Sequence, residues 1–326
     1  MKRALGPGLF PGLALGWATL AGAQENGALR VVLTFDDLPM TGGSLCDAEQ
    51  VWAVTDGLVG YLEEHDIPSL GLATPGRDCV TPELLGATLR RWVAADAEIG
   101  NHTAHHPDLN GLALEAYLAD LDLGQDLIDA VIPNPRRWFR PPLLHMGDEP
   151  GKKSGLEQHL VARETRLAPV TVDNQEWVYA AVYADARRRG DGELENRVAQ
   201  GFLEHLEECM AFYETLSERV FGRQIPQVLL LHANLLNAEL MPRIDEMLRD
   251  RGYRYVTMAE AVADPAYGAP DEYVGPRGLS WLQRWALARG VSVPDEPREA
   301  PWVAREFQAI RRNGGAPAVP ASPSGF

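Results

Sequence analysis

The sequence predicts an α/β fold with a parallel sheet wrapped by helices, and a barrel in preference to a short open sheet. Three observations carry this. Short apolar runs alternate with apolar stripes at helical spacing, which is the pattern of repeated β-α units. The units are numerous enough for a barrel, although a doubly wound open sheet shows the same alternation. The 326 residues suit one large domain with extensions, since α/β barrels use about 250 residues as a single domain.

In chain order, Leu29 to Phe35 is a short apolar, β-branched run halted at Asp36-Asp37-Leu38-Pro39, a buried strand that ends in a loop. Val51, Val54, Leu58 and Leu62 follow at helical spacing, and Pro68 to Ala73 is a second strand-like run. Thr81 before Pro82 has the form of an N-cap with proline at the first helical position, and Leu85, Leu89 and Trp92 supply the stripe of that helix. This unit closes near Ile99. Leu114, Leu118, Leu121 and Ile128 mark another helix, ended by Pro133 and Pro135. Val170 to Asp173 is again strand-like.

The longest stripe, Val198, Phe202, Leu206, Cys209, Tyr213, Leu216 and Val220, fits one buried helical face. Val228 to His232 is the next strand. Leu240, Ile244 and Met247 then form a helix closed by Gly252, before a last strand at Tyr253 to Thr257. Beyond Pro265 the chain is rich in proline, glycine and charge. An apolar patch at Leu279, Trp281, Leu282 and Trp285 suggests packing on the barrel surface, with a disordered tail from about Gly314.

Hydrophobic residues make up 45% and charged residues 23%, a globular balance. The formal charge of −16 argues against nucleic acid as a partner, because such a surface repels phosphate. Lys2 and Arg3, the apolar stretch Ala4 to Leu20 and Ala21-Gly22-Ala23 read as an export signal over residues 1–23, so a secreted or periplasmic protein is expected. No other stretch has the roughly 20 apolar residues of a transmembrane span. Three cysteines are too few for a disulfide scaffold. Export permits one bridge: Cys46 and Cys79, both in turns after neighbouring strands, are predicted to pair, and Cys209 on a helix face to be a buried thiol.

Polar clusters fall where strands end: Asp36-Asp37, His102 to His106, Arg140-Pro141-Pro142, Asp173 with Trp177, and His232. His102 and His106, four apart, could share one face of a helical turn and present two imidazoles to a metal, with Asp37 as the available carboxylate. Two histidines and a carboxylate leave coordination positions for water, as hydrolytic zinc sites do. Taken singly, each residue has a plainer reading: chance histidines on a surface turn, a satisfied core histidine at 232, a turn aspartate at 173, a salt-bridging Arg140. The tryptophans at 138, 177, 281 and 285 are read as core packing before sugar stacking, and His65, His145, His159 and His205 as surface or packing residues.

Five motifs in order nevertheless resemble the polysaccharide deacetylase family, carbohydrate esterase family four: Thr34-Phe35-Asp36-Asp37, His102-Thr103-x-x-His106-Pro107, Phe139-Arg140-Pro141-Pro142, Asp173-x-x-x-Trp177 and Leu230-Leu231-His232. The match runs from about Ala28 to Asp264 and sets the expected catalytic domain at residues 28–264, with residues 265–326 as an extension. The resemblance implies a distorted (β/α)7 barrel with its groove at the carboxyl ends of the strands. It implies Asp37, His102 and His106 as ligands of a divalent metal, for which zinc is favoured and cobalt is acceptable. By the same resemblance Asp36 is the general base, Arg140 orients it, His232 is the general acid and Asp173 holds and charges His232. A backbone N–H near Leu143 would stabilise the oxyanion, while Pro141 and Trp177 would border the substrate. The implied substrate is an acetylated carbohydrate, foremost an N-acetylhexosamine polymer. An O-acetyl ester, a small amide or a non-catalytic glycan-binding role are the alternatives. Two departures are Leu38, where glycine is usual, and Asn174 to Glu176, which loosen the fourth motif.

Overall fold

A computed structural model describes Met1, residues 29–133 and residues 137–312. The export signal and the tail from Gly314 fall outside the described residues. All strand pairs are parallel in one seven-stranded sheet. Its elements are β1 (Leu29–Leu38), α1 (Ala48–Glu64), β2 (Ser69–Ala73), α2 (Pro82–Ala94), β3 (Glu98–Asn101), α3 (Leu114–Asp129), β4 (Trp138–Phe139), α4 (Pro150–Ala162) and β5 (Arg166–Leu167). Then come α5 (Glu176–Arg189), α6 (Gly192–Phe221), β6 (Gln227–His232), α7 (Leu235–Asp250), β7 (Tyr253–Tyr255), α8 (Met258–Val262), α9 (Trp281–Ala288) and α10 (Pro301–Arg312).

The order β5-β4-β3-β2-β1-β6 leaves two edges, and the sheet curls until they meet. The chain that pairs with β4 at β5 runs on to bond β6, through a parallel bridge between Val172 and Leu229. Ala168 N–H donates to the Phe139 carbonyl, and four residues later Val172 N–H donates to the carbonyl of Val228. One segment thus serves two strands and closes a distorted barrel; an open doubly wound sheet is not what forms. β7 pairs only with the start of β1, at the foot of the ring.

Alternation along the strands sorts their side chains into two cores. Val32, Leu70, Leu72, Trp138, Ala168 and Val228 pack together inside the ring, floored by Val256, Met258 and Ala261. The intervening residues Val31, Leu33, Phe35, Leu229 and Leu231 face outward into the larger core under the helices. Higher on the inward face of β1, beyond Val32, stand Thr34 and then Asp36, so the barrel turns polar toward the carboxyl ends of its strands.

Thr81 caps α2 through its side chain with Pro82 at the first turn, as the sequence predicts. Every residue of the long stripe from Val198 to Val220 is buried along α6, which Gly222 ends in a left-handed cap. Two helices and two strands are not marked by periodicity. α4 buries only Lys153, Leu156 and Leu160, and α5 is buried on several sides because α6, α7 and α10 all pack on it. β4 and β5 have two residues each, too short to show alternation. The predicted strand at Val170 to Asp173 is reduced to its single bridge.

Cys46 and Cys79 form the predicted disulfide, tying the loop after β1 to the loop after β2. Cys209 is a buried free thiol. Trp281, Leu282 and Trp285 pack into the large core, so the extension is seated on the barrel as expected. Among the described residues no helix is long and apolar enough to cross a membrane.

Candidate metal centre and catalytic cavity

Asp36 and Asp37 lie just before the end of β1, and the backbone turns left-handed at Asp37, with φ 66°. A regular strand would send two successive carboxylates to opposite faces, and the turn instead brings both beside the histidines, Asp36 Oδ2 3.6 Å from His102 Nε2 and Asp37 Oδ1 3.8 Å from His106 Nε2. Asp36 stays on the inward face and accepts a 2.6 Å bond from Nη1 of Arg140, whose guanidinium is fully buried and also donates to Thr34 Oγ1 at 2.9 Å and to the Ala168 carbonyl at 3.1 Å. Arg140 therefore holds the Asp36 carboxylate in place.

His102 and His106 lie on a tight loop after β3, not on the helical turn that their spacing suggested. Thr103 adopts φ 66° and His106 φ 57°, conformations that cost a β-branched or bulky residue energy unless neighbours enforce them. Here Asn101 Oδ1 accepts the Thr103 N–H at 2.8 Å, and Thr103 Oγ1 accepts the His106 N–H at 3.0 Å. His102 Nδ1 lies 2.8 Å from the Arg140 carbonyl, to which it donates, leaving Nε2 as the free lone pair.

Ligand atoms of Asp37, His102 and His106 all lie within 4.8 Å of one another. Asp37 Oδ1 is buried without a hydrogen-bond partner and stands 3.8 Å from His106 Nε2, too far for a bond between them. Ligands about 2.0 to 2.2 Å from a shared ion sit about 3.4 Å apart in a tetrahedron, so the set fits a cation with modest contraction. Burial drives the His106 imidazole down to about 4 against the pull of Asp37, which keeps it unprotonated at neutral pH, as a ligand must be. Burial raises the Asp37 carboxyl, but His106, His102, Arg77 and His232 outweigh it and hold the group at about 2. Two nitrogens and an oxygen suit zinc, and cobalt equally.

A cavity of about 80 Å³ opens beside these ligands, lined among others by Asp36, Leu143, Asp173, Trp177, Leu230 and His232. His232 is the register partner of Asp36 on the adjoining strand β6. Its Nδ1 bonds Glu176 Oε2 at 2.7 Å, and Glu176, buried at the first turn of α5, also accepts from Asn234 Nδ2. This corrects the reading of Asp173: the carboxylate on the imidazole is Glu176. Asp173 instead turns its Oδ1 to the backbone N–H of Asn174 at 2.8 Å, and its carboxyl is raised by burial. Burial lowers His232, but the hydrogen bond and charge of Glu176, with Asp37 and Asp36 behind them, lift it to about 9. All the sequence offers for Glu176 is an acidic residue directly before Trp177, in a first helical turn where the macrodipole favours a carboxylate, and that does not set it apart from Asp173.

Trp177 lines the cavity and packs edge-on against Phe307 of α10. Trp138, Trp281 and Trp285 are buried core. Pro141 is buried beneath the turn that presents Leu143 and does not line the cavity. His145 and His159 pair with Asp108 and Asp122, His205 bonds the Asn174 carbonyl, and His65 stacks on Tyr61. Leu143, Leu144 and Gly278 line the cavity from outside the five motifs, and Gly278 comes from the extension.

The family model described as polysaccharide deacetylase matches residues 23–155. That segment carries Asp36, Asp37, His102, His106 and Arg140, whereas Asp173, Glu176, Trp177 and His232 lie beyond it. The comparison with curated proteins gives no match. Similar solved structures include the chitin deacetylase of the fungal pathogen Colletotrichum lindemuthianum, 18% identical over 75% of this chain and 90% of that one, TM-score 0.49. A family 4 carbohydrate esterase from Streptomyces lividans in complex with acetate is 20% identical over 69% and 91%, TM-score 0.45. A family pseudoenzyme from Bacillus anthracis is 17% identical over 73% and 66%, TM-score 0.46.

Proposed function

We propose that this chain, a relative of the polysaccharide deacetylases over residues 23–155, is a metal-dependent hydrolase that removes acetyl groups from a carbohydrate, foremost from an N-acetylhexosamine polymer. The observation that carries the reading is one small cavity in which a base held by an arginine and an acid held by a carboxylate stand beside a three-residue cation site. A non-catalytic glycan binder needs neither the Arg140–Asp36 pair nor the Glu176–His232 pair.

A divalent cation held by Asp37, His102 and His106 supplies Lewis acidity, which lowers the pKa of water and polarises an acyl oxygen. The chain's own groups account for the rest. Asp36, fixed by Arg140, accepts the proton that water loses as its oxygen bonds the acetyl carbon. The Leu143 N–H is the backbone donor for the resulting oxyanion. When the C–N bond breaks, the sugar amine leaves with its electron pair and takes a proton from His232, whose other nitrogen Glu176 holds. Leu230 and Trp177 wall the acetyl group in and exclude water.

The leader at residues 1–23 and the Cys46–Cys79 bridge both support an oxidising, exported setting. Acetate release from chitooligosaccharides, peptidoglycan, acetylxylan and small acetamides, with zinc- or cobalt-loaded protein, tests the function. Release from the first two substrates is expected. Release from acetylxylan alone replaces the amide by an O-acetyl ester, and release from none refutes the proposal.

A further inference from the structure

The extension reaches the catalytic cavity through a contact that packing alone does not require. Leu143 and Leu144 both adopt left-handed backbone, with φ 57° and 53°. Two successive leucines there are disfavoured by the clash of Cβ with the following carbonyl, so surrounding structure must hold them. Bonds within the turn, from Leu144 N–H to the Pro141 carbonyl and from His145 N–H to that of Pro142, are of an ordinary kind and leave the Leu143 and Leu144 carbonyls unheld.

Both carbonyls are met from the extension. Gly278 lies so close that a Cβ built on it would stand 1.9 Å from the Leu143 oxygen, so only glycine fits. Arg284 of α9, 1% exposed, donates from Nη2 to the Leu144 carbonyl at 2.5 Å. Its fork is itself fixed: Nε donates to the Leu279 carbonyl at 2.9 Å and Nη1 to Asp271 Oδ2 at 3.0 Å, an oxygen shared with Lys153 Nζ at 3.1 Å. The rings of Trp281 and Tyr273 flank the guanidinium at 4.5 and 5.3 Å. A surface extension needs no buried arginine aimed at one peptide carbonyl. The Leu143 N–H lies one peptide plane ahead of the two that these contacts hold, so fixing those planes limits the Leu143 φ and ψ that orient it.

We propose that Arg284 and Gly278 are positioning residues for catalysis: the extension clamps the Leu143–Leu144 turn and thereby aims the oxyanion-binding N–H into the cavity. This rests on the deacetylase reading for its chemistry but not for its geometry. The clamp acts on the tetrahedral intermediate more than on bound substrate, so its loss lowers kcat and leaves KM nearly unchanged.

The test compares Arg284→Met, which deletes the donors, Arg284→Lys, which retains one, and Gly278→Ala, which pushes on the Leu143 oxygen without removing a charge. Expected for Arg284→Met and Gly278→Ala is a fall in kcat of roughly 10- to 100-fold, part of the 10² to 10³ that losing a whole oxyanion donor costs. KM and cobalt stoichiometry of the folded Gly278→Ala protein should change little, its Tm falling as the turn yields to the added methyl, and Arg284→Lys should recover part of the loss. Amide hydrogen exchange of the peptide holding Leu143 and Leu144 should quicken in the first two variants. Unchanged kcat and exchange in Gly278→Ala overturns the proposal, as does a loss of kcat that only follows loss of cobalt or of folded protein. Should the wild type release acetate from no substrate, the deacetylase reading fails, while the exchange measurement still decides the clamp.

Discussion

The two halves of the cavity are built differently. Asp37 stands near the end of β1, and His102 and His106 stand on one short loop whose strained turn is enforced from within a few residues, by Asn101 and Thr103. His232 depends on Glu176, 56 residues away in sequence, and Leu143 on Gly278 and Arg284, more than a hundred residues away. The histidine loop is a local motif that carries most of its own support, with one bond from His102 Nδ1 to the Arg140 carbonyl. The second half is assembled by tertiary structure, so its residues can be exchanged or supplied from a different part of the chain without a trace in any short pattern.

The largest effect should come from the local half. Asp37→Ala should lose the metal and with it all turnover, while Asp36→Asn keeps the metal and still loses turnover, since only the first change deletes a ligand. Metal analysis of both folded proteins decides this, and equal metal loss would sink the division of roles. Next, His232→Ala should lower amide cleavage by roughly 10² to 10⁴, yet spare cleavage of an activated aryl acetate, whose phenolate leaves without a proton. Equal loss of both activities, with metal content unchanged, would move His232 from leaving-group protonation to an earlier step.

A smaller effect tests the tertiary support. Glu176→Gln removes the charge that lifts His232 to about 9, so the imidazole should titrate nearer its usual 6.5. The sign follows from a folded pKa raised above the unfolded one. The stabilisation from the proton is complete below about 6.5 and is lost as pH rises through 9, so wild type and variant should differ most in stability on the acid side. The alkaline limb of kcat/KM for amides should move down in pH, and an NMR titration of His232 in the metal-free protein reads the same shift directly. An unmoved His232 would show that Glu176 is not its charge partner.

The smallest effect on turnover is expected from replacing Cys46 and Cys79 by serine. The bridge closes a 33-residue separation, for which loop entropy gives about 2 to 4 kcal/mol of stability. Denaturant unfolding should show that loss while kcat changes little. A large fall in kcat would mean that the bridged loops also hold Asp37 in place.

This contrast also explains what was legible in the sequence. The strands β1, β2 and β6 and the helices α1, α2, α3, α6 and α7 each carry a period or a cap, so their places follow from the pattern of apolar residues. Asp36, Asp37, His102, His106, Arg140 and His232 are close to strand ends and are recognisable by type. α5 hides because its burial has no single face. Glu176 hides because a carboxylate one turn along from Asp173 is indistinguishable from it until the backbone bond of Asp173 to Asn174 is seen. Gly278 and Arg284 hide in a stretch whose composition speaks only of a surface extension.

Asp36 and His232 face each other across one rung of a parallel ladder, joined by the bond from the Ala233 N–H to the Asp36 carbonyl. The spacing of their backbones is therefore the spacing of adjacent strands, about 4.8 Å, a length that no loop sequence can alter. The proposed proton donor and acceptor thus stand on backbone as fixed as the sheet that carries them. On the proposed reading, a change of acyl substrate would fall to the surrounding loops and the extension, while the acid–base pair keeps its separation.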